Sequence, residues 1–180
     1  FEVTQQQYDN VIASKAAAFS FAGNATYAAE TISWEDIRGT AGTGQDWPNN
    51  GHAVAAGSFM GKLLAKTGLG FDLPTEAQWE YACRAGTTGV FNNGKVNLDT
   101  ISTDADLNNL GWYEYNEGDT THEVGGKTPN AWSLYDCHGN VLEWCLDWYV
   151  ADITSYTVDP VGPTTGSFRV VRGGAWNHTA

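Results

Sequence analysis

Eight tryptophans set among 21 glycines mark this 180-residue chain as a loop-rich fold. Glycine reaches backbone angles closed to other residues, and large aromatic side chains anchor the loops that glycine permits. Long uninterrupted helices or a broad regular sheet are not expected from such a pairing. The length fits one domain, 1–180, with enough chain to bury a sizeable core. Hydrophobic residues at 42% fit a folded globular protein rather than a disordered one.

Charge narrows the partners. The 21 carboxylates against nine Lys and Arg give a net charge of −12. A surface of that sign repels phosphate backbones and argues against nucleic acid as a partner. It suits hard cations such as calcium, which take oxygen ligands. No apolar run approaches the roughly 20 residues of a membrane-spanning helix. The chain opens at Phe1 without a Met, which reads as a mature or trimmed start and leaves an exported origin open.

Local signals place helices in the first half. Thr4 and Gln7 form a capping box, with Val3, Tyr8, Val11 and Ile12 on one face of the helix that follows. Ser33 precedes an acidic first turn in Ile32–Ile37. Ser58 caps a helix carrying Phe59, Met60, Leu63 and Leu64, closed by Gly68. Thr75 and Gln78 form a second capping box, and Trp79, Ala82 and Cys83 share a face of a helix ended by Gly86. Gly39–Gly51 reads as a surface loop. Strand candidates lie at 132–135, 142–148 and 168–172. Helices first and strands later predict an α+β domain.

Four segments, in order along the chain, carry a resemblance. They are Phe1–Tyr8 (FEVTQQQY), Leu73–Gly86 (LPTEAQWEYACRAG), Pro129–Trp148 (PNAWSLYDCHGNVLEWCLDW) and Phe168–Trp176 (FRVVRGGAW). Together they resemble the formylglycine-generating enzyme and sulfatase-modifying-factor family. The resemblance implies a C-type-lectin-like fold, low in regular secondary structure and braced by calcium. It also implies a further closing strand beyond Ala180. Catalytic members bind copper with two cysteines soon after the RGG-aromatic block and oxidise a substrate cysteine to formylglycine. Other relatives, among them variable proteins of diversity-generating retroelements, vary that same region to change ligands.

The family's ion ligands fall on named positions here. Asp136 and Glu143 would supply carboxylates, and Gly139 and Val141 backbone carbonyls. A second set would be the Asp106 side chain, the Leu107 carbonyl and Asn116. The run from Asp104 to Asn109 opens like an EF-hand loop, but Asn109 at its sixth position and Tyr115 at its twelfth break that pattern. Arg172 and Trp176, near the family's ligand-facing end, are the candidate ligand-binding residues. Trp112, Trp132, Trp144 and Trp148 read as core anchors.

Three cysteines, Cys83, Cys137 and Cys145, permit one internal bridge at most. A Cys137–Cys145 bridge is open on sequence grounds, and the resemblance implies a partner for Cys83 further along the chain. His52, His122, His138 and His178 show no metal-ligand spacing and read as surface or turn residues. Asn24-Ala25-Thr26 and Asn177-His178-Thr179 are glycosylation sequons, relevant only in a eukaryotic secretory host. No cysteine follows Trp176, so copper chemistry lacks its soft ligand pair within residues 1–180. The expectation is a calcium-braced, non-catalytic domain that binds a protein or other surface ligand, secreted or cell-surface. The alternative is a copper-dependent oxidase whose cysteine pair lies beyond Ala180.

Overall fold

A computed structural model describes residues 1–12, 19–40, 46–95, 105–116, 118–151 and 158–178. Asp104 of the EF-hand-like run, Thr179 of the second sequon and residues 41–45 of the glycine-rich loop lie outside the described residues.

Among the described residues, five short helices and two small sheets make an α+β arrangement in which loops predominate. Helix α1 (Gln5–Ile12) starts from the expected box: Thr4 Oγ1 accepts from the Gln7 amide, and Gln7 Oε1 accepts from the Thr4 amide. Helix α2 (Trp34–Arg38) has the same reciprocal arrangement between Ser33 and Asp36. Helix α3 (Phe59–Thr67) is capped by Ser58 and closed by left-handed Gly68. Helix α4 (Glu76–Arg84) carries the Thr75–Gln78 box. Its left-handed cap is Ala85 at φ +46°, one residue before the expected Gly86. Helix α5 (Ala105–Leu110) has too few turns to leave a periodic trace in sequence and was not expected.

Strands β1 (Gly111–Trp112) and β2 (His138–Gly139) pair in parallel. Strands β3 (Glu143–Trp148) and β4 (Arg169–Arg172) pair antiparallel, with an irregularity between Trp144 and Trp148. These two match the expected strands at 142–148 and 168–172. The expected strand at 132–135 is instead a turn, with Ser133 at φ +62°, because Asn130 Oδ1 gathers the amides of Trp132 and Leu134.

The core is aromatic and in patches. Tyr8 stacks on Phe59 at 5.1 Å, with Ile12 beside them. Phe91, Leu107, Leu110 and Tyr113 form a second cluster. Indole N–H groups tie distant loops together. Trp34 donates to the Cys145 carbonyl, Trp144 to the Ile32 carbonyl and Trp47 to the Val161 carbonyl. Of the expected core anchors, Trp132 departs: it is 45% exposed, packed edge-on against Tyr81. No helix among the described residues is long and apolar enough to cross a membrane.

Buried charge holds the middle of the molecule. Arg38 is fully buried and makes a two-pronged ion pair with Asp72 at 2.7 and 2.9 Å. Arg169 lies between the Trp34 and Trp148 rings, at 4.0 and 3.4 Å from their centroids. Burial lowers its pKa to about 10. Guanidinium groups sandwiched by aromatic faces trade water for the ring quadrupole.

Candidate functional site

The loop from Asp136 to Glu143 runs through three left-handed residues: Asp136 at φ +60°, Gly139 at +82° and Asn140 at +62°. Its course is set by backbone contact. A Cβ on Gly139 would stand 1.8 Å from the Trp112 carbonyl oxygen, and one on Gly111 equally close to that of His138. Only glycine lets β1 and β2 approach so closely. Asn140, fully buried, pins the loop from inside. Its Oδ1 accepts from the His122 amide, its own amide donates to the Trp112 carbonyl, and its carbonyl accepts from the Trp176 amide.

Asp136 is 2% exposed. One carboxylate oxygen accepts from the Gly125 amide at 2.5 Å, and the other is buried with no partner of good geometry. Glu143 accepts from the Trp79 indole at 3.0 Å, and burial pushes its pKa up to about 6. A third carboxylate joins them. Both oxygens of Glu2 are shielded and lack a good partner, although the residue as a whole is half-buried. Burial, then the neighbouring Asp136 and Glu143, hold Glu2 well above the usual carboxylate range.

Three carboxylates thus crowd one buried region with few donors among them. Glu2 and Asp136 meet side chain to side chain, but among the described residues no three His, Cys, Asp or Glu side chains form a ready metal cluster. An ion held here would draw on backbone carbonyls as well, which is the donor set expected from Gly139 and Val141. Glu2 escaped sequence reading because it lies far upstream, in a segment whose signals, the capping box and the family resemblance, say nothing of a carboxylate site. Asn140 escaped because a buried amide hub has no sequence signature.

The second expected set is differently occupied. Asp106 accepts from Asn93 and pairs with Lys95 at 3.1 Å. Asn116 closes its own turn: its Oδ1 accepts from the Tyr113 amide, and its Nδ2 donates to Asn108 Oδ1 and the Gly111 carbonyl. Leu107 is buried in the Phe91 cluster.

Arg172 and Trp176 come together. Arg172 ends β4, pairs with Glu80 at 3.0 Å and Glu76 at 3.7 Å, and lies over the Trp79 ring. Trp176 meets Phe21 edge-on at 5.2 Å. Both line a broad groove of about 1140 Å³ whose wall also includes Glu2, Val141 and Glu143. Phe1, Leu142, Tyr149 and Phe168 line it too and are exposed. The two candidate ligand-binding residues and the carboxylate loop therefore line one groove.

A second cavity, about 360 Å³, lies on the other side of Arg172 and is lined by Cys83, Cys137 and His138. Burial takes His138 down to a pKa of about 4, so the ring is neutral at physiological pH and accepts from the Asn92 amide. It is not the surface or turn residue expected, being half-buried on β2; His122, half-buried, stacks 3.7 Å from the Trp112 ring. The Cys83 thiol is in hydrogen-bonding contact with Cys137, which makes Cys83 the more acidic of the two and Cys137 the less. Cys145 is fully buried on β3, and burial raises it to about 12. All three thiols are free.

The chain belongs to the sulfatase-modifying factor enzyme 1-like domain family, whose model matches residues 1–180. Among solved structures it is similar to Treponema denticola variable protein 1, with a TM-score of 0.70 and 29% identity over 98% of this chain and 72% of that one. Among curated proteins it is 31% identical to the formylglycine-generating enzyme of Thermomonospora curvata, over 79% of this chain and 50% of that protein. It is 34% identical to the mouse enzyme of the same name over 69% of this chain and 35% of the other. A 33% match to a Chlamydia pneumoniae protein named serine/threonine-protein kinase pkn1 covers 69% of this chain and 19% of that protein. The chain thus spans half or less of the curated relatives it matches.

Proposed function

We propose that this domain is a calcium-stabilised, non-catalytic ligand-binding scaffold of the C-type-lectin type, displaying the groove that carries Arg172 and Trp176. The observation that carries the reading is the crowding of Glu2, Asp136 and Glu143, with buried oxygens left without donors. Buried carboxylates in that state are costly unless protonated or bound to a cation. Calcium would be held by Asp136 and Glu143 with the Gly139 and Val141 carbonyls, and Glu2 nearby. Its charge would neutralise the cluster and fix the loop that walls the groove. Asp106, the Leu107 carbonyl and Asn116 are proposed as a second, weaker calcium site, in which the ion would displace Lys95 from Asp106. The ligand is a protein or other surface molecule met outside the cytoplasm, in keeping with the similarity to a variable protein.

The test is thermal. A chelator-treated sample should melt lower than the same sample in excess calcium. A ligand present at 100 times its Kd adds about 2.7 kcal/mol, provided it binds only the folded state. Equal melting temperatures with and without calcium would remove this reading.

A second reading is favoured by the identity to formylglycine-generating enzymes. It is copper-dependent oxidation of a substrate cysteine, and it needs a pair of cysteines beyond the three present here. Aldehyde formation on a substrate peptide by the full gene product, supplied with copper, decides between the two.

A further inference from the structure

Two of the three thiols meet across a long stretch of chain. Cys83 sits in the last turn of α4, and Cys137 lies in the loop leading into β2. Cys83 Sγ points at the Cys137 carbonyl from 4.0 Å, which brings the two side chains near each other. Both line the 360 Å³ cavity, so a small reagent has a route to them. Cys145 is fully buried on β3, behind the Trp34 hydrogen bond to its carbonyl.

We propose that Cys83 and Cys137 form a reversible disulfide that staples α4 to the carboxylate loop. This differs from both pairings open at the sequence level, Cys137 with Cys145 and Cys83 with a residue beyond Ala180. The oxidant is a small-molecule disulfide such as oxidised glutathione. One protein thiolate attacks it, forming a mixed disulfide and expelling one glutathione thiolate. The second cysteine then attacks the protein sulfur of that mixed disulfide, expelling the other glutathione thiolate. Two protein thiols are oxidised, one disulfide is reduced to two thiols, and the protons lost by the cysteines are taken up by the leaving thiolates. A disulfide needs sulfurs about 2.05 Å apart, and the shared cavity leaves these neighbouring side chains room to turn toward each other. The staple acts whether or not the loop holds calcium.

The experiment equilibrates folded protein with reduced or oxidised glutathione, then unfolds it in denaturant with excess alkylating agent, and maps peptides without reduction. The reduced sample should alkylate at all three cysteines. The oxidised sample should alkylate at Cys145 alone and yield a linked Cys83–Cys137 peptide. Oxidation should raise the melting temperature by about 10 °C, as a long closed loop predicts. That shift should vanish in Cys83→Ser and in Cys137→Ala and persist in Cys145→Ala. Three alkylated cysteines after oxidation, a link through Cys145, a stable glutathione adduct without a bridge, or a bridge between two chains would each overturn the proposal. The peptide map needs only the unmutated protein, so a variant that fails to fold leaves the test intact.

Discussion

Asp136 stands at φ +60° with one oxygen tied to Gly125 and the other without a partner. Leaving a buried polar group unsatisfied costs about 1–3 kcal/mol, and more when it is charged. Without a cation, Glu2 and Glu143 are relieved by protonation, and burial raises both. Glu143 is raised to about 6 by burial, above its unfolded value. Its contribution is therefore intact below about pH 4.5 and is lost as pH rises through 6, by roughly 2 kcal/mol in all. The chelated protein should then melt progressively lower from pH 4.5 to 7, while the calcium-loaded protein should not; differential scanning fluorimetry across pH reads both curves. Asp136→Asn sharpens the comparison. It should raise the melting temperature of the chelated protein, by relieving like-charge crowding, and weaken calcium binding measured by calorimetry. Asp136 and Glu143 were singled out through the family resemblance of the segment that carries both. Glu2 was not, since its role exists only once the chain folds back.

Helix ends were the most legible elements. A capping box closes within four residues, so Thr75 and Gln78 reveal themselves before any tertiary contact forms. Helix α4 also has a cap from afar: the Glu76 amide donates to Asp147 on β3 at 2.7 Å. Thr75→Ala should cost about 1 kcal/mol, read as a shift in urea midpoint. The β1–β2 pairing was illegible by contrast, because two residues at Gly111 and two at His138 carry no period. What decides it is steric. Gly139→Ala would drive its Cβ into the Trp112 carbonyl at a backbone angle that disfavours any side chain. It should be far more damaging than the Thr75 change, with loss of soluble folded protein as the expected readout. Ala85 shows a further limit: a left-handed cap need not be glycine when the Gly beside it carries the next turn.

At the scale of the molecule, buried charge holds places where an aliphatic core is thin. Arg38 joins α2 to Asp72 before α4 and lies 5.1 Å from the Trp34 ring. Arg38→Ala leaves Asp72 with only the His52 ring and the Leu73 amide as partners and should cost about 3–5 kcal/mol in urea denaturation. A chain rich in Trp and Gly announced loops anchored by rings, and that much was readable. Which ring meets which loop was not, because the partners lie more than a hundred residues apart. Trp34 and Trp144 each clasp the other's neighbourhood, through the carbonyls of Cys145 and Ile32, and Trp47 reaches Val161. These clasps have a kinetic meaning. Each can form only after the two ends of a very long loop have found one another, and the entropy of that search is spent before the bond rewards it. Refolding should therefore be slow for a chain of this length, on the order of milliseconds to seconds, and indole fluorescence should recover late, as the ends of the chain are drawn together.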